Sequence, residues 1–337
     1  MIDEGCGPEL PGADHTSILS LANTEIISYI ASMDLIDRHL RSAVDQYTSH
    51  FPVTAILGPR QCGKTTLARM WLSGREHAYY LDLELPSDIA KLTYAEDFLR
   101  AHREEIVCLD EIQRMPELFT VLRALCDETG RPGQFLILGS ASPDLLRQTS
   151  ETLAGRIGYL ELTPFTETEV GPEHHEILWL RGGFPRSYLA PDDAVSCTWR
   201  ENFIRTFLER DLPQLGIRVP AQMMRRFWQM CAHLQGELWN HEKIASSLSV
   251  TGKTARHYLD ILEQAFMIRR LPPFEANVKK RLVKSPRVYL RDSGILHQLL
   301  RIADRDELAG HPVRGSSWDC LLYTSDAADE LDGVDLG

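Results

Sequence analysis

The chain has 337 residues, of which 43% are hydrophobic and 25% are charged, and its formal net charge is −12. This is the composition of a globular protein with room for two domains and a third small one. An acidic total argues against a protein that coats nucleic acid, but it leaves room for one local basic patch. The 7 cysteines show no zinc-binding spacing and no framework of small loops, which favours reduced thiols in the cytoplasm. No apolar run of the sequence is long enough to span a membrane.

The N-terminal residues 1–32 are polar, contain Gly and Pro and show no periodic pattern, which predicts a mobile extension. An amphipathic stretch follows Met33, with apolar residues at helical spacing. Either Met1 or Met33 can be the natural start of the protein, and the sequence leaves both open.

From residue 53 onwards, five short apolar strands alternate with helical segments. The predicted strands are Val53–Gly58, Ala78–Leu83, Ile106–Glu111, Gln134–Ser142 and Tyr159–Phe165. This alternation predicts an α/β fold, a three-layer core with a parallel five-stranded sheet over residues 33–170. Ligands bind such sheets at the carboxyl ends of the strands. The pattern then becomes helical, and residues 171–236 are predicted to form a helical connector.

The first strand runs directly into GPRQCGKT, which fits the phosphate-loop pattern G-x-x-x-x-G-K-[ST] and precedes a helix. Glycines let the backbone wrap a phosphate, and the helix N-terminus adds partial positive charge. Lys64 is expected to reach the β- and γ-phosphates, and Thr65 to ligate Mg²⁺ through its hydroxyl. The predicted nucleotide contacts are Gly58, Pro59, Arg60, Gln61, Cys62, Gly63, Lys64, Thr65 and Thr66.

A second motif lies 46 residues after Lys64, where the apolar third strand ends in Asp110 and Glu111. We expect Asp110 to hold Mg²⁺ through water and Glu111 to polarise the attacking water. The interval has room for a helix, a strand and another helix, so the loop strand and the Asp strand are not consecutive. This is the arrangement of phosphate-loop ATPases that carry an additional catalytic Glu.

Two further residues are candidates for contact with the terminal phosphate. Ser140 ends the fourth strand beside the loop, where it would orient water or simply close the strand. Arg156 precedes the fifth strand, and it is either an ordinary surface residue or an arginine that stabilises transition-state charge in its own subunit or a neighbour's.

Residues 237–274 follow the order helix, tight turn, helix and strand, which predicts a winged helix in a C-terminal region over residues 237–319. The second helix begins near Lys253 and Arg256, where a recognition helix would meet DNA. A basic segment follows, and its candidate phosphate contacts are Lys279, Lys280 and Arg281. Packing against the chain's own core or a protein partner is the alternative, and both remain open.

Together these motifs carry a resemblance. The segments GPRQCGKTTLA, LDEIQRMPELF, LILGSAS, LAGRIGYLELTPFTETEV, LWLRGGFP, TFLERDL and KSPRVYLRDSGI occur in this order. The chain resembles, from about Met33 to Trp318, the bacterial and archaeal AAA-type ATPases that carry a C-terminal DUF4143 region. The resemblance implies ATP as the ligand, Asp110 and Glu111 as the Walker B pair and Arg156 in a GR motif. Cys62 departs from the small or apolar residue usual at its position.

The family pattern stops abruptly at Asp319. Residues 320–337 resemble an in-frame translation of a sequencing-library adaptor, so we expect a non-native tail and a longer natural protein.

The leading hypothesis for the whole chain is a Mg²⁺-dependent ATPase that drives or times a conformational change, with DNA contact left open. The alternative is a nucleotide-gated binding or regulatory module, directed at DNA or protein, that turns over little ATP. The sequence does not distinguish a monomer from an oligomer.

Overall fold

The structure, a computed structural model, describes residues 36–140, 151–272 and 285–321. The predicted N-terminal extension and most of the predicted non-native tail therefore lie outside the described residues. No helix of the described part is long and apolar enough to cross a membrane.

The first half of the chain contains a parallel five-stranded sheet, which confirms the predicted α/β core. Its strands are β1 (Val53–Gly58), β2 (Ala78–Asp82), β3 (Ile106–Asp110), β4 (Phe135–Ser140) and β5 (Ile157–Glu161), in the order β2-β3-β4-β1-β5. Every residue of β1 and β4 is buried, because these strands lie inside the sheet and are covered on both faces. The predicted separation of the loop strand from the Asp strand is confirmed, since β4 lies between β1 and β3.

Helices cover both faces of this sheet. They are α1 (Leu40–His50), α2 (Lys64–Leu72), α3 (Pro86–Lys91), α4 (Ala95–Ala101) and α5 (Leu118–Thr129). Alternate residues of β1 enter opposite cores, because successive side chains of a strand point to opposite faces. Ala55 and Leu57 pack in the core that contains Leu118 of α5, whereas Ile56 packs with Leu67 and Trp71 of α2.

The second half of the chain is mostly helical. Its helices are α6 (Glu167–Val170), α7 (His175–Arg181), α8 (Pro185–Tyr188), α9 (Asp193–Thr206), α10 (Leu212–Gln214), α11 (Ala221–His233), α12 (His241–Leu248), α13 (Gly252–Gln264), α14 (Ser293–Leu300) and α15 (Arg305–Gly310). A π-helical turn, Phe207–Asp211, joins α9 to α10. One buried core contains residues from Leu180 to Val313, so the predicted connector and the predicted C-terminal region share a single hydrophobic core.

A helix-turn-helix pair lies within this second half. The side chain of Asn240 caps α12 and that of Thr251 caps α13, each by accepting hydrogen bonds from backbone N–H groups. An antiparallel pair follows, formed by β6 (Ile268–Leu271) and β7 (Arg287–Leu290). These elements agree with the predicted order, and their assignment as a winged helix stays a prediction, because residues 273–284 lie outside the described part.

A buried carboxylate joins two distant segments of the helical half. Asp292 accepts hydrogen bonds from the N–H of Gly183 at 2.7 Å and from the N–H of Ile295 at 2.8 Å. Gly182 has φ +76°, and a Cβ added there would lie 2.2 Å from an Asp292 oxygen. Gly182 is therefore required for the backbone to approach this carboxylate closely, whereas a Cβ on Gly183 would lie 2.2 Å from the carbonyl oxygen of Phe165.

Candidate nucleotide site

The phosphate loop leaves the carboxyl end of β1 and enters α2. A Cβ added to Gly58 would lie 2.2 Å from the carbonyl oxygen of Leu162, so this position accepts no larger side chain. Gly63 has φ +102°, which favours glycine, and it directly precedes α2. The two glycines of the motif thus fix where the loop begins and ends.

The inside of the loop fits a phosphate group. Among the described residues, the backbone hydrogen bonds include none donated by the N–H groups of Gln61, Cys62, Gly63 or Lys64. The buried Lys64 donates from Nζ to the carbonyl oxygens of Gly58 at 3.0 Å and Pro59 at 2.9 Å. The loop therefore offers a set of available donors and a cation beside the positive end of α2, and this combination binds anions.

A hydrogen-bonded cluster stands beside the loop at the end of β3. Oδ2 of the buried Asp110 accepts from the hydroxyl of Thr65 at 2.6 Å and from the hydroxyl of Tyr80 at 2.6 Å. Burial raises the pKa of Tyr80, and the negative charge of Asp110 raises it further, so the phenol stays a donor. Hydroxyl and carboxylate oxygens are the ligand types that Mg²⁺ prefers, so Thr65 and Asp110 fit that ion.

Glu111 follows Asp110 in a left-handed backbone conformation with φ 56°. A non-glycine residue in this region is strained by roughly 1–2 kcal/mol, which the surrounding structure must offset. The N–H of Glu111 donates to Oδ1 of Asp110 at 2.9 Å, and Gln113 donates to the Glu111 carboxylate. Burial raises the pKa of Glu111, while the charges of Lys64 and Arg60 oppose that shift. The carboxylate therefore lies within electrostatic reach of the loop.

Ser140 lies next to the loop because β4 pairs with β1, and the register places Ser140 opposite Gly58. Its hydroxyl is buried and has no hydrogen-bond partner among the described residues. An unpartnered buried hydroxyl is uncommon and indicates a ligand or water at that place. The structure thus places Ser140 at the same edge of the sheet as Lys64 and Asp110, and its catalytic role stays a prediction.

Arg156 lies elsewhere, and its predicted role within its own subunit is not supported. Its carbonyl oxygen accepts from the N–H of Val53, which starts β1, so Arg156 stands at the amino edge of the sheet. The six residues of β1 separate it from the loop by roughly 16 Å. Its guanidinium is bound to Asp127 at 2.5 Å. A role in a neighbouring subunit stays a prediction.

Sequence reasoning missed Arg38, which supports the loop from outside. Its guanidinium donates to the carbonyl oxygens of Cys62 at 2.9 Å and Thr163 at 2.5 Å, and to the carboxylate of Glu169 at 2.9 Å. The side chain is buried, although an arginine in an amphipathic stretch is typical of its solvated face. No signal in the sequence predicted these contacts.

The proposed nucleic-acid residues are only partly described. Lys253 and Arg256 are exposed at the start of α13, and Arg256 lies 3.2 Å from His241. Lys279, Lys280 and Arg281 lie outside the described residues. Two other arginines of the C-terminal region form ion pairs within the chain. Arg270 binds Asp260 and Glu263, and Arg291 binds Glu161 at the end of β5.

Two families match successive parts of the chain. Residues 50–171 match the AAA domain family, and residues 173–306 match a domain of unknown function, DUF8612. The expected DUF4143 assignment of the C-terminal region is therefore not confirmed.

Known proteins match most of the chain. The uncharacterized proteins Mb2031c of Mycobacterium bovis and Rv2008c of Mycobacterium tuberculosis are each 45% identical to the chain over 325 residues, which is 95% of this chain and 71% of each relative. The Walker-type ATPase paby2304 of Pyrococcus abyssi has the same fold, with a TM-score of 0.54 and 18% identity over 79% of this chain and 96% of that one. The chain therefore belongs to the AAA-type P-loop ATPases, in the family that includes these two mycobacterial proteins.

Proposed function

We propose that the protein binds ATP with Mg²⁺, hydrolyses it and couples the nucleotide state to a conformational change in its helical half. One observation carries the proposal. Five residues from three separate segments converge at the carboxyl edge of the sheet, and they are Lys64 and Thr65 of the loop and α2, Asp110 and Glu111 at the end of β3, and Ser140 at the end of β4. Structural ion pairs do not require such a convergence, whereas phosphoryl transfer does.

Each of these residues has a separate part in the proposed reaction. The loop N–H groups and Lys64 bind the phosphates, and Lys64 then exchanges the carbonyl oxygens of Gly58 and Pro59 for phosphate oxygens. Thr65 and Asp110 would hold Mg²⁺, which neutralises charge that develops on the phosphate oxygens. Glu111 accepts the proton of the attacking water, and Ser140 donates to that water or to the terminal phosphate.

Two substitutions in the full chain test this proposal. Lys64→Ala removes the cation that faces the phosphates, so it should weaken ATP binding by about tenfold or more. Glu111→Gln keeps the shape of the side chain but accepts no proton, so it should bind ATP normally and release phosphate about 10²- to 10⁴-fold more slowly. If phosphate release does not exceed that of the Lys64→Ala protein, with and without DNA, the ATPase proposal is wrong.

A gated module with little turnover is the second candidate, and one observation favours it. The loop residue Arg60 is bound to Asp211 of the helical half, so nucleotide binding alone can alter that half. Glu111→Gln separates the two candidates. A gated module would keep its ATP-dependent binding of DNA or protein in this variant, whereas a machine that requires turnover would lose its activity.

A DNA-binding role for α13 rests on the exposure of Lys253 and Arg256. Phosphate contacts make affinity fall steeply with salt, so Lys253→Glu should weaken DNA binding and flatten its salt dependence. A DNA affinity that is insensitive to both salt and Lys253→Glu would count against this role.

A further inference from the structure

One residue of the phosphate loop is bound to the helical half of the chain. Arg60 donates from Nη1 to Oδ1 of Asp211 at 2.8 Å, across 151 residues of sequence. Asp211 is the last residue of the π-helical turn Phe207–Asp211. The side chains are 16% and 3% exposed, so this ion pair is shielded from water and from screening by salt.

The negative charge of the buried Asp211 carboxylate is stabilised mainly by Arg60. Arg210 is its other ionic partner among the described residues, at 3.6 Å, but the Arg210 side chain is mostly exposed. Burial raises the pKa of Asp211, the attraction of Arg60 and Arg210 offsets this only in part, and Glu84 raises it further. Removal of Arg60 would thus leave a buried charge without adequate compensation.

Arg60 also belongs to the phosphate loop itself, between Gly58 and Gly63. Burial raises the pKa of Glu111, and the charges of Lys64 and Arg60 oppose that shift, so the Arg60 guanidinium lies within electrostatic reach of the carboxylate expected to activate water. Its buried Nε has no hydrogen-bond partner among the described residues. The guanidinium therefore stands between two negative sites, one permanent at Asp211 and one that exists only when a triphosphate is bound.

Phosphate competes well for such a group, because a guanidinium binds it in a bidentate, charge-assisted arrangement. We propose that Arg60 senses the terminal phosphate by exchanging Asp211 for it, which releases the π-helical turn and carries the nucleotide state into the helical half. The inference rests on the proposed nucleotide binding at the loop. It assigns to Arg60 and Asp211 a role that neither the phosphate-loop pattern nor the carboxylate pair contains, and we call this contact the Arg60–Asp211 latch.

The latch makes a reciprocal prediction, because two ligands that compete for one group each weaken the other's binding. Asp211→Asn keeps the shape of the side chain and removes its charge, so it should free Arg60 for the phosphate. Glu209→Gln is the matched control, since Glu209 is exposed on the same turn and the change removes the same charge.

The test measures the Kd of a non-hydrolysable β,γ-methylene ATP analogue and of ADP for the full-length chain and its variants. Asp211→Asn should bind the analogue about five- to thirtyfold more tightly and ADP within about twofold of the unaltered chain. Glu209→Gln should change neither Kd. Arg60→Ala should lose the preference for the analogue over ADP, and adding Asp211→Asn to it should change nothing further.

Amide hydrogen exchange over residues 207–215 provides an independent readout. The analogue should increase exchange there relative to ADP in the unaltered chain, and Arg60→Ala should abolish the difference. If Arg60→Ala does not fold because Asp211 is left without its partner, Asp211→Asn alone still decides, because Kd values equal to those of Glu209→Gln for both nucleotides would overturn the latch.

Failure of the latch is distinguishable from failure of the proposed function. If nucleotide binding depends on Lys64 but Asp211→Asn matches Glu209→Gln for both nucleotides, the latch is wrong and the nucleotide site stands. If the unaltered chain binds neither nucleotide more tightly than Lys64→Ala does, the nucleotide site and the latch are both wrong.

Discussion

The hydroxyl of Tyr80 offers the sharpest test of how the site is held together. It donates to Oδ2 of Asp110 at 2.6 Å, and Thr65 donates to the same oxygen at 2.6 Å. The Tyr80 hydroxyl thus holds the Asp110 carboxylate in the orientation in which it also accepts the hydrogen bond from Thr65. Tyr80→Phe removes this one donor and leaves the ring, which stacks on the guanidinium of Arg69, in place.

The expected magnitude follows from the charge of the acceptor. A hydrogen bond to a charged group contributes about 1.5–3 kcal/mol, which corresponds to roughly a 10- to 150-fold change in an equilibrium or rate constant. We expect Tyr80→Phe to lower kcat for ATP hydrolysis by about that factor and to raise the Mg²⁺ concentration needed for half-maximal turnover. Binding of nucleotide without metal should change little, because the Tyr80 hydroxyl donates to Asp110, which is an expected metal ligand.

The assay is phosphate release at saturating ATP over a range of Mg²⁺ concentrations. Tyr79→Phe is the matched control, since it makes the same chemical change on the opposite face of β2, where Tyr79 packs on Phe98. Turnover and Mg²⁺ dependence within about twofold of Tyr79→Phe would refute the reasoning that Tyr80 positions Asp110.

Three further predictions concern the loop, the base and the helical core. Gly58→Ala should abolish nucleotide binding and destabilise the fold by about 1–3 kcal/mol in denaturant titrations, because its Cβ meets Leu162, whereas Gly74→Ala, in open space, should be neutral. Burial raises the pKa of Glu111 above 4.5, and the charge of Arg60 opposes that shift, so kcat/KM for ATP hydrolysis should decrease as the pH falls through this raised pKa. Arg60→Ala should shift the decrease to still higher pH, and an unchanged pH profile would contradict the assignment of Glu111 as the base. Burial lowers the pKa of His297 from 6.5 to about 4. Neutral His297 therefore contributes to stability above pH 6.5, and about 3 kcal/mol of unfolding free energy should be lost as the pH falls from 6.5 towards 4. His297→Gln should remove this pH dependence of the unfolding free energy.

The sheet and the centre of the site could be predicted because they depend on local sequence. The strands β1 and β4 are short runs that are apolar apart from Thr54 and the terminal Ser140, which is the pattern of strands buried on both faces. Lys64 and Thr65 follow from a pattern whose spacing is set by the loop itself. The carboxylates of Asp110 and Glu111 follow from their place at the end of a strand, since the ends of parallel strands meet at one edge.

The supporting contacts could not be predicted, because they join residues far apart in the sequence. Tyr80 resembles an ordinary aromatic residue of a strand, and Arg38 resembles a solvated charge before a helix, yet each donates to a group of the site. Asp211 belongs to the segment TFLERDL, which the sequence showed as a motif without a role. The position of Arg156 could have been foreseen, since a residue that directly precedes a parallel strand lies at the amino edge, away from the loop.

The contact between Gly183 and Asp292 also bears on the order in which the molecule acquires its structure. It joins residues 109 positions apart, and closing so long a segment slows folding. During synthesis the sheet residues are made first and Gly182 and Gly183 follow. Gly183 can donate to Asp292 only after the C-terminal third of the chain has been made. The helical core is therefore completed late, whereas the sheet with its loop has all of its strands early. We expect two folding steps during synthesis, first the nucleotide-binding sheet and then the whole helical half as one cooperative unit.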